Sequence, residues 1–188
     1  MKNLLKIDCS SSEAGKDFVK SLSETGFAVV VNHGIDADLV RRTYADWREF
    51  FAGKEKQDYL FDYEKQDGYF PYKSENAKGY KTKDLKEFFH IYSWGRYPTT
   101  ISSSTKELRL ELLKLGSKML DWLDSLAPKK VQSNFSMQLS DMINGSGQNL
   151  LRVIHYPPLR IEDGLDGAIR AESHTDINLI TLLIAESG

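Results

Sequence analysis

The stretch RAESHTDINLITLL, residues 170–183, places a histidine and an aspartate two residues apart, directly before a long apolar run. In a β-strand, residues i and i+2 point to the same face and lie about 7 Å apart, at roughly 3.3–3.4 Å per residue. His174 and Asp176 would then present an imidazole and a carboxylate to one metal ion. A His-x-Asp match alone is weak, and an exposed polar pair at a strand end is the alternative. The stretch predicts half of a metal site and leaves the other half to be found.

The region around this stretch predicts a sheet. Three apolar segments of strand length lie within fewer than 40 residues and are separated by Pro, Gly and Asp. These predicted strands are residues 149–157, 167–174 and 178–185.

The N-terminal part predicts mainly helices, because start signals, apolar spacing and stop signals agree there. Asp36 is expected to cap a helix with one apolar face that ends at Gly53. Ser10 and Glu13 have the spacing of a capping box, and the run FAVVV (27–31) predicts a buried strand. The other expected elements are a strand at 4–8, a helix ending near Gly26, a strand at 87–94, a helix from Ser104 that ends before Pro128, and a short helix at 135–144. Helices that mostly precede a sheet indicate an α+β fold of effectively one domain.

Composition and charge argue against a nucleic-acid-binding, secreted or membrane-spanning protein. The chain has 188 residues and a net charge of -2, which gives no electrostatic reason to expect nucleic acid or an anionic membrane as a partner. Cys9 is the single cysteine, so an intrachain disulfide is impossible and a reducing compartment is favoured. The N-terminus lacks the apolar core of a signal peptide, and no stretch approaches the length of a membrane span. We therefore predict a cytoplasmic protein.

Three motifs, in order, carry a family resemblance: GFAVVVNHGI (26–35), LLRVIHYPP (150–158) and RAESHTDINLITLL (170–183). Together with KEFFHIYSWG (86–95), they resemble the isopenicillin-N-synthase-like family of non-haem Fe(II)/2-oxoglutarate-dependent dioxygenases. The resemblance implies N-terminal helices packed on a double-stranded β-helix, a jelly roll of eight main strands. Residues 1–147 would form the N-terminal helical and strand region. Residues 148–188 would be the first strands of a jelly-roll core whose C-terminal strands are missing from this chain.

The same resemblance implies roles for individual residues. His174 and Asp176 match two iron ligands, in the set of two histidines and one carboxylate that leaves metal positions open for oxygen and a co-substrate. Tyr156 matches a tyrosine that hydrogen-bonds the 2-oxoglutarate carboxylate in many members. Many plant members have asparagine where this chain has Ile154. Arg152 shares a side with Ile154 and Tyr156 by strand alternation, so it would supply charge to the pocket or, alternatively, lie at its rim.

The family's third iron ligand, a histidine, and its co-substrate arginine and serine would lie beyond residue 188, which is only twelve residues after Asp176. The other histidines are poor substitutes. His33 fits a structural turn, and His155 would face away from Tyr156. His90, beside aromatic residues, is more typical of a core histidine than of a ligand near the substrate. We therefore expect the chain to be part of a longer protein or a truncated product, and to be inactive alone. Completion of the site by a second copy of the chain is the alternative.

The implied function is oxidation of an unactivated C–H bond of a small molecule, with Fe(II), 2-oxoglutarate and O2, and with release of succinate and CO2. Three alternatives stay open: an iron oxidase that needs no 2-oxoglutarate, a catalytically dead jelly-roll binding module, and a scaffold with a coincidental His-Thr-Asp. Aromatic residues hint at apolar or flat substrates, although core packing is their default role. They are Tyr69, Phe70, Phe88 and Trp94. The sequence carries no signal for an oligomeric state.

Overall fold

The computed structural model describes residues 4–75, 83–160, 163, 169–171, 176 and 178–185. The chain divides into two compact units. The helical unit comprises Met1–Leu39 and Lys106–Ser146, and the sheet unit comprises Val40–Thr105 and Gly147–Gly188. The predicted division at residues 147 and 148 stays a prediction. Among the described residues, no helix has the length and apolar character needed to cross a membrane.

The regular elements follow one another with short connections. The strands are β1 (Lys6–Asp8), β2 (Val29–Val31), β3 (Gly68–Phe70), β4 (Glu87–Ile91) and β5 (Leu151–His155). The helices are α1 (Ala14–Thr25), α2 (Ala37–Ala52), α3 (Ser104–Leu126) and α4 (Lys129–Gln132), with 3-10 helices at Glu55–Tyr59 and Leu139–Met142. The strand expected at 4–8, the helix between Asp36 and Gly53 and the helix from Ser104 that ends before Pro128 are thus confirmed in position. The strand expected at 87–94 is confirmed over Glu87–Ile91, and 135–144 contains only a short 3-10 helix at Leu139–Met142.

The helical unit begins with a β1–α1–β2 crossover in which β1 and β2 pair in parallel. Helix α1 ends as predicted, because Gly26 adopts φ 77° and donates its N–H to the Leu22 carbonyl. The predicted capping box is wrong: Ser10 bonds the carboxylate of Asp8, and the helix begins only at Ala14. The strand predicted at residues 27–31 is present as β2, but the prediction that it is buried is wrong. Phe27 is 72% exposed and Val29 is 44% exposed, since an apolar β-branched run fixes strand character but not what covers it.

The sheet unit contains an antiparallel sheet in the order β3-β4-β5. One face of this sheet packs on α2 and forms the core of the unit. We call it the Phe89 face. Its residues are Tyr69, Phe89, Ile91, Leu151 and Val153, which pack with Trp47, Phe50 and Phe51 of α2. Asp36 caps α2 by accepting the N–H of Asp38 at 2.9 Å, and Gly53 ends it, as the sequence predicts.

The C-terminal strands are only partly as expected. β5 confirms the strand predicted at 149–157. The prediction of a strand at 178–185 is wrong, because the structure describes these residues without strand geometry. A strand needs a backbone partner, and no described residue pairs with this segment. The segment is held instead by side chains such as Tyr44, whose hydroxyl donates to the Ile184 carbonyl at 2.8 Å. Most of 167–174 lies outside the described residues, and the jelly roll stays a prediction.

Candidate functional site

The second face of the sheet, which we call the Phe88 face, carries the residues predicted from β5. It consists of Phe70, Phe88, His90, Arg152 and Ile154. Cross-strand register builds it, because Phe88 pairs with Ile154, and His90 pairs with Arg152. Strand alternation also places Tyr156, just after β5, on this side. The prediction that residues 152, 154 and 156 share one side therefore agrees with the alternating exposure of β5.

An aromatic column underlies this face. The ring of Phe70 stacks on Phe61 at 4.4 Å and on Phe88 at 4.5 Å between centroids. Phe70 and Phe88 are almost completely buried. Of the four aromatic residues considered as substrate contacts, these two and Tyr69 are therefore core residues. Trp94 is 46% exposed.

Arg152 and His90 form the main polar pair of the face. The Arg152 Nε donates to His90 Nε2 at 2.8 Å, and the guanidinium lies 4.7 Å from the Phe88 ring centroid. His90 Nδ1 lies 2.9 Å from the Gln66 carbonyl oxygen, which can only accept. Nδ1 must therefore carry the proton, and Nε2 is free to accept from Arg152. His90 is thus a neutral imidazole that links a loop carbonyl to a cation.

The charge state of His90 follows from its surroundings. The side chain is 5% exposed, and burial, together with the positive charge of Arg152, lowers the pKa of His90 to about 4. The hydrogen bond to Gln66 opposes this shift but does not cancel it. His90 is therefore neutral at physiological pH, as its bond to Arg152 requires.

Ile154 and Tyr156, two and four residues after Arg152 in the chain, are partly exposed. The guanidinium of Arg170 lies 5.9 Å from the Tyr156 ring centroid. Arg170 is thus the described cation nearest the Tyr156 ring, whereas Arg152 contacts His90 and Phe88. The site contains no carboxylate in salt-bridge distance of Arg152 among the residues that the structure describes.

The predicted metal ligands are only half described. His174 lies outside the described residues. Asp176 is exposed, and its Oδ2 accepts the Thr181 hydroxyl at 2.7 Å. Within the described ranges, no group of three His, Cys, Asp or Glu side chains is arranged to hold a metal ion. A carboxylate and an imidazole suit ferrous iron chemically, and the pairing of His174 with Asp176 stays a prediction.

His155 lies on the Phe89 face, away from Tyr156. Its ring stacks on Phe51 at 5.2 Å, and its Nδ1 lies 2.7 Å from Glu87 Oε1. Burial disfavours the ionised Glu87 carboxyl, but hydrogen bonds from Tyr69, His155 and Lys56 outweigh burial and hold the pKa of Glu87 below its usual range. His155 therefore packs against the core with its ring partly exposed, on the side of β5 that its position predicts.

His33 also has a local role. Its Nδ1 accepts the N–H of Ile35 at 3.2 Å in the turn before α2. This geometry agrees with a structural turn histidine.

Comparison with known proteins assigns the family. One protein family matches residues 3–109, which is more than half of the chain. Its description is "non-haem dioxygenase in morphine synthesis N-terminal". The chain belongs to this family. The resemblance seen in the sequence is thereby confirmed.

Individual relatives agree with this assignment. Flavonol synthase 3 of Arabidopsis thaliana is 28% identical over 190 residues, which cover 90% of this chain and 57% of that protein. A candidate oxygenase of Shewanella oneidensis has a crystal structure that superposes with a TM-score of 0.83 at 39% identity, covering 95% of this chain and 63% of that one. The chain thus spans less than two thirds of the length of these relatives.

A more distant structure supports the fold alone. JOX2, solved in complex with 2OG, Fe and JA, matches with a TM-score of 0.59 at 22% identity, over 84% of this chain and 49% of that one.

Proposed function

We propose that this chain is part of an Fe(II)- and 2-oxoglutarate-dependent oxygenase that oxidises an unactivated C–H bond of a small molecule and releases succinate and CO2. The observation that carries the proposal is the family match over residues 3–109, followed in the same chain by the YPP and His-Thr-Asp motifs. The exposed side chains of Arg152 and Tyr156 support it, because a guanidinium and a hydroxyl can both donate hydrogen bonds to a carboxylate.

The chain's own residues would take distinct parts. His174 and Asp176 would hold the iron, with a third ligand from outside residues 1–188. The Thr181 hydroxyl, at 2.7 Å from Asp176 Oδ2, would orient the carboxylate, as outer hydrogen bonds do in metal sites. When bound, iron and 2-oxoglutarate supply the oxidising power for C–H cleavage, with O2 as the oxidant.

Tyr156 would donate a hydrogen bond to a co-substrate carboxylate, and Arg152 would supply positive charge nearby. Ile154 offers no polar atom at the position where many members have asparagine, so these two residues would carry more of the polar contact. The stacked pair of Tyr92 and Trp94, with centroids 4.6 Å apart and planes 7° apart, offers a flat surface of the kind that fits an apolar or planar substrate.

Succinate formation from 2-oxoglutarate, with added Fe(II) and ascorbate, tests the proposal. Asp176→Ala is expected to abolish metal-dependent turnover and leave the thermal midpoint nearly unchanged, because Asp176 is exposed. Asp58→Ala, which removes another exposed carboxylate of the sheet unit, is the matched control. Full turnover in the Asp176 variant would refute the assignment.

The same assay separates the alternatives. Oxygen consumption that needs iron but no 2-oxoglutarate would indicate an oxidase. Absence of metal binding would indicate a binding module.

A further inference from the structure

The guanidinium of Arg152 is held by two contacts that leave its outer end available. Its Nε donates to His90 and its plane lies over Phe88. Arg152 is exposed, and its two terminal amino groups make no hydrogen bond to any described residue. Since these groups form the donor fork that matches a carboxylate, the residue offers an unused binding group.

His90 is built to fix that orientation. Its ring packs 4.5 Å from Phe70 and 5.0 Å from Phe88, between centroids. Gln66, whose carbonyl fixes the imidazole tautomer, has a left-handed backbone with φ 61°. A buried, neutral imidazole with its proton committed to Gln66 can only accept from Arg152. The arginine is therefore oriented before any ligand arrives, which lowers the entropy lost on binding.

Charge around the pair favours an anion. The guanidinium of Arg170, 5.9 Å from the Tyr156 ring centroid, adds a second positive charge to the sheet unit. The carboxylates of the sheet unit that make ion pairs, such as Glu87 and Asp67, have their own cationic partners, Lys56 and Arg96. No acidic side chain of the described residues neutralises Arg152.

We propose that Arg152 forms a carboxylate-binding subsite on the Phe88 face and that His90 is its positioning residue. The subsite rests on the proposed function for its place in the active site. The carboxylate has two possible sources, the distal end of 2-oxoglutarate or a carboxylate on the substrate that is oxidised.

The test is ligand affinity measured by calorimetry without metal, so that it does not depend on turnover. The probes are 2-oxoglutarate, 2-oxovalerate, which has the same keto acid end but no distal carboxylate, and benzoate, a flat monocarboxylate. Arg152→Gln removes the charge, and Arg42→Gln removes an exposed arginine of α2 as the matched control. Loss of a charge-assisted, bidentate contact predicts about tenfold weaker binding, or more, for Arg152→Gln and no change for Arg42→Gln.

Two variants at position 90 separate positioning from mere structure. His90→Phe keeps a ring but removes the acceptor, and weakening of about three- to tenfold is expected because the guanidinium is no longer immobilised. His90→Gln restores an acceptor at similar reach and is expected to bind within about twofold of the wild type. If His90→Phe does not fold, Arg152→Lys replaces it as the test variant. Lysine keeps the positive charge but lacks the Nε donor and the paired terminal amino groups of arginine, so the same three- to tenfold weakening of binding is expected.

The pattern of affinities tells which molecule supplies the carboxylate and whether the subsite exists. An Arg152-dependent preference for 2-oxoglutarate over 2-oxovalerate assigns the subsite to the co-substrate. Arg152-dependent binding of benzoate, with that preference unchanged, assigns it to the substrate. Equal affinities in the wild type and Arg152→Gln for every probe would overturn the proposal. Failure of the proposed function would show separately, as absence of iron-dependent succinate formation with carboxylate binding intact.

Discussion

Acidification is expected to destabilise the sheet unit through His90. Burial lowers its pKa from 6.5 to about 4 in the folded protein. Between these values the unfolded chain binds a proton that the folded chain excludes, so the free energy of unfolding falls as the pH falls. The contribution is complete above about pH 6.5 and lost towards pH 4. A difference of about 2.5 pKa units, at 1.36 kcal/mol each, corresponds to about 3 kcal/mol.

The variant His90→Gln isolates this contribution, because glutamine does not titrate and every other ionisable group is shared. Urea unfolding followed by tryptophan fluorescence, with Trp47 buried in the same unit, gives the free energy of unfolding at each pH. The difference between wild type and variant should change by about 3 kcal/mol in favour of the variant from pH 7 to pH 4. A difference that stays constant, or that moves towards the wild type, would refute the assignment of a buried neutral histidine.

Two further substitutions test the packing that supports the site. Glu87→Gln removes the buried charge that accepts Lys56 at 3.0 Å, and a loss of about 3 kcal/mol in unfolding free energy is expected; a loss near zero would mean that the pair contributes nothing. Gly68→Ala places a Cβ 2.5 Å from the Tyr59 carbonyl oxygen at φ +95° and should lower the unfolding free energy by more than about 1 kcal/mol. Gly147→Ala, whose Cβ would meet only ordinary contacts, should leave the thermal midpoint unchanged, and an equal loss in both would contradict the strain argument.

Local signals account for what the sequence predicted well. Helix α2 was predicted with its cap at Asp36, its apolar face and its end at Gly53, because each signal acts within a few residues. The side of β5 shared by Arg152 and Ile154 also followed from alternation alone. The family resemblance came from short motifs whose residue types are tied to chemistry.

Long-range pairing explains what the sequence did not predict. His90 and Arg152 are 62 positions apart, and only the register of β4 against β5 brings them together. The carbonyl of Gln66 enters from a loop with an unusual backbone, for which the sequence gives no glycine signal. The exposure of β2, and the lack of strand pairing between 178–185 and other described residues, depend on neighbours elsewhere in the chain. Burial and pairing are tertiary properties, so a strand's composition does not determine them.

Along the five residues of β5, side chains that pack in the core alternate with side chains that are exposed. Leu151 and Val153 pack against the core of the sheet unit, so substitutions there destabilise the folded state. Arg152 and Ile154 lie on the Phe88 face and are exposed, so substitutions there destabilise the folded state much less. Exposed residues of β5 can therefore be exchanged one by one while the chain stays folded at each step. If the proposed carboxylate subsite binds as inferred, its ligand preference can change along this strand with little loss of stability.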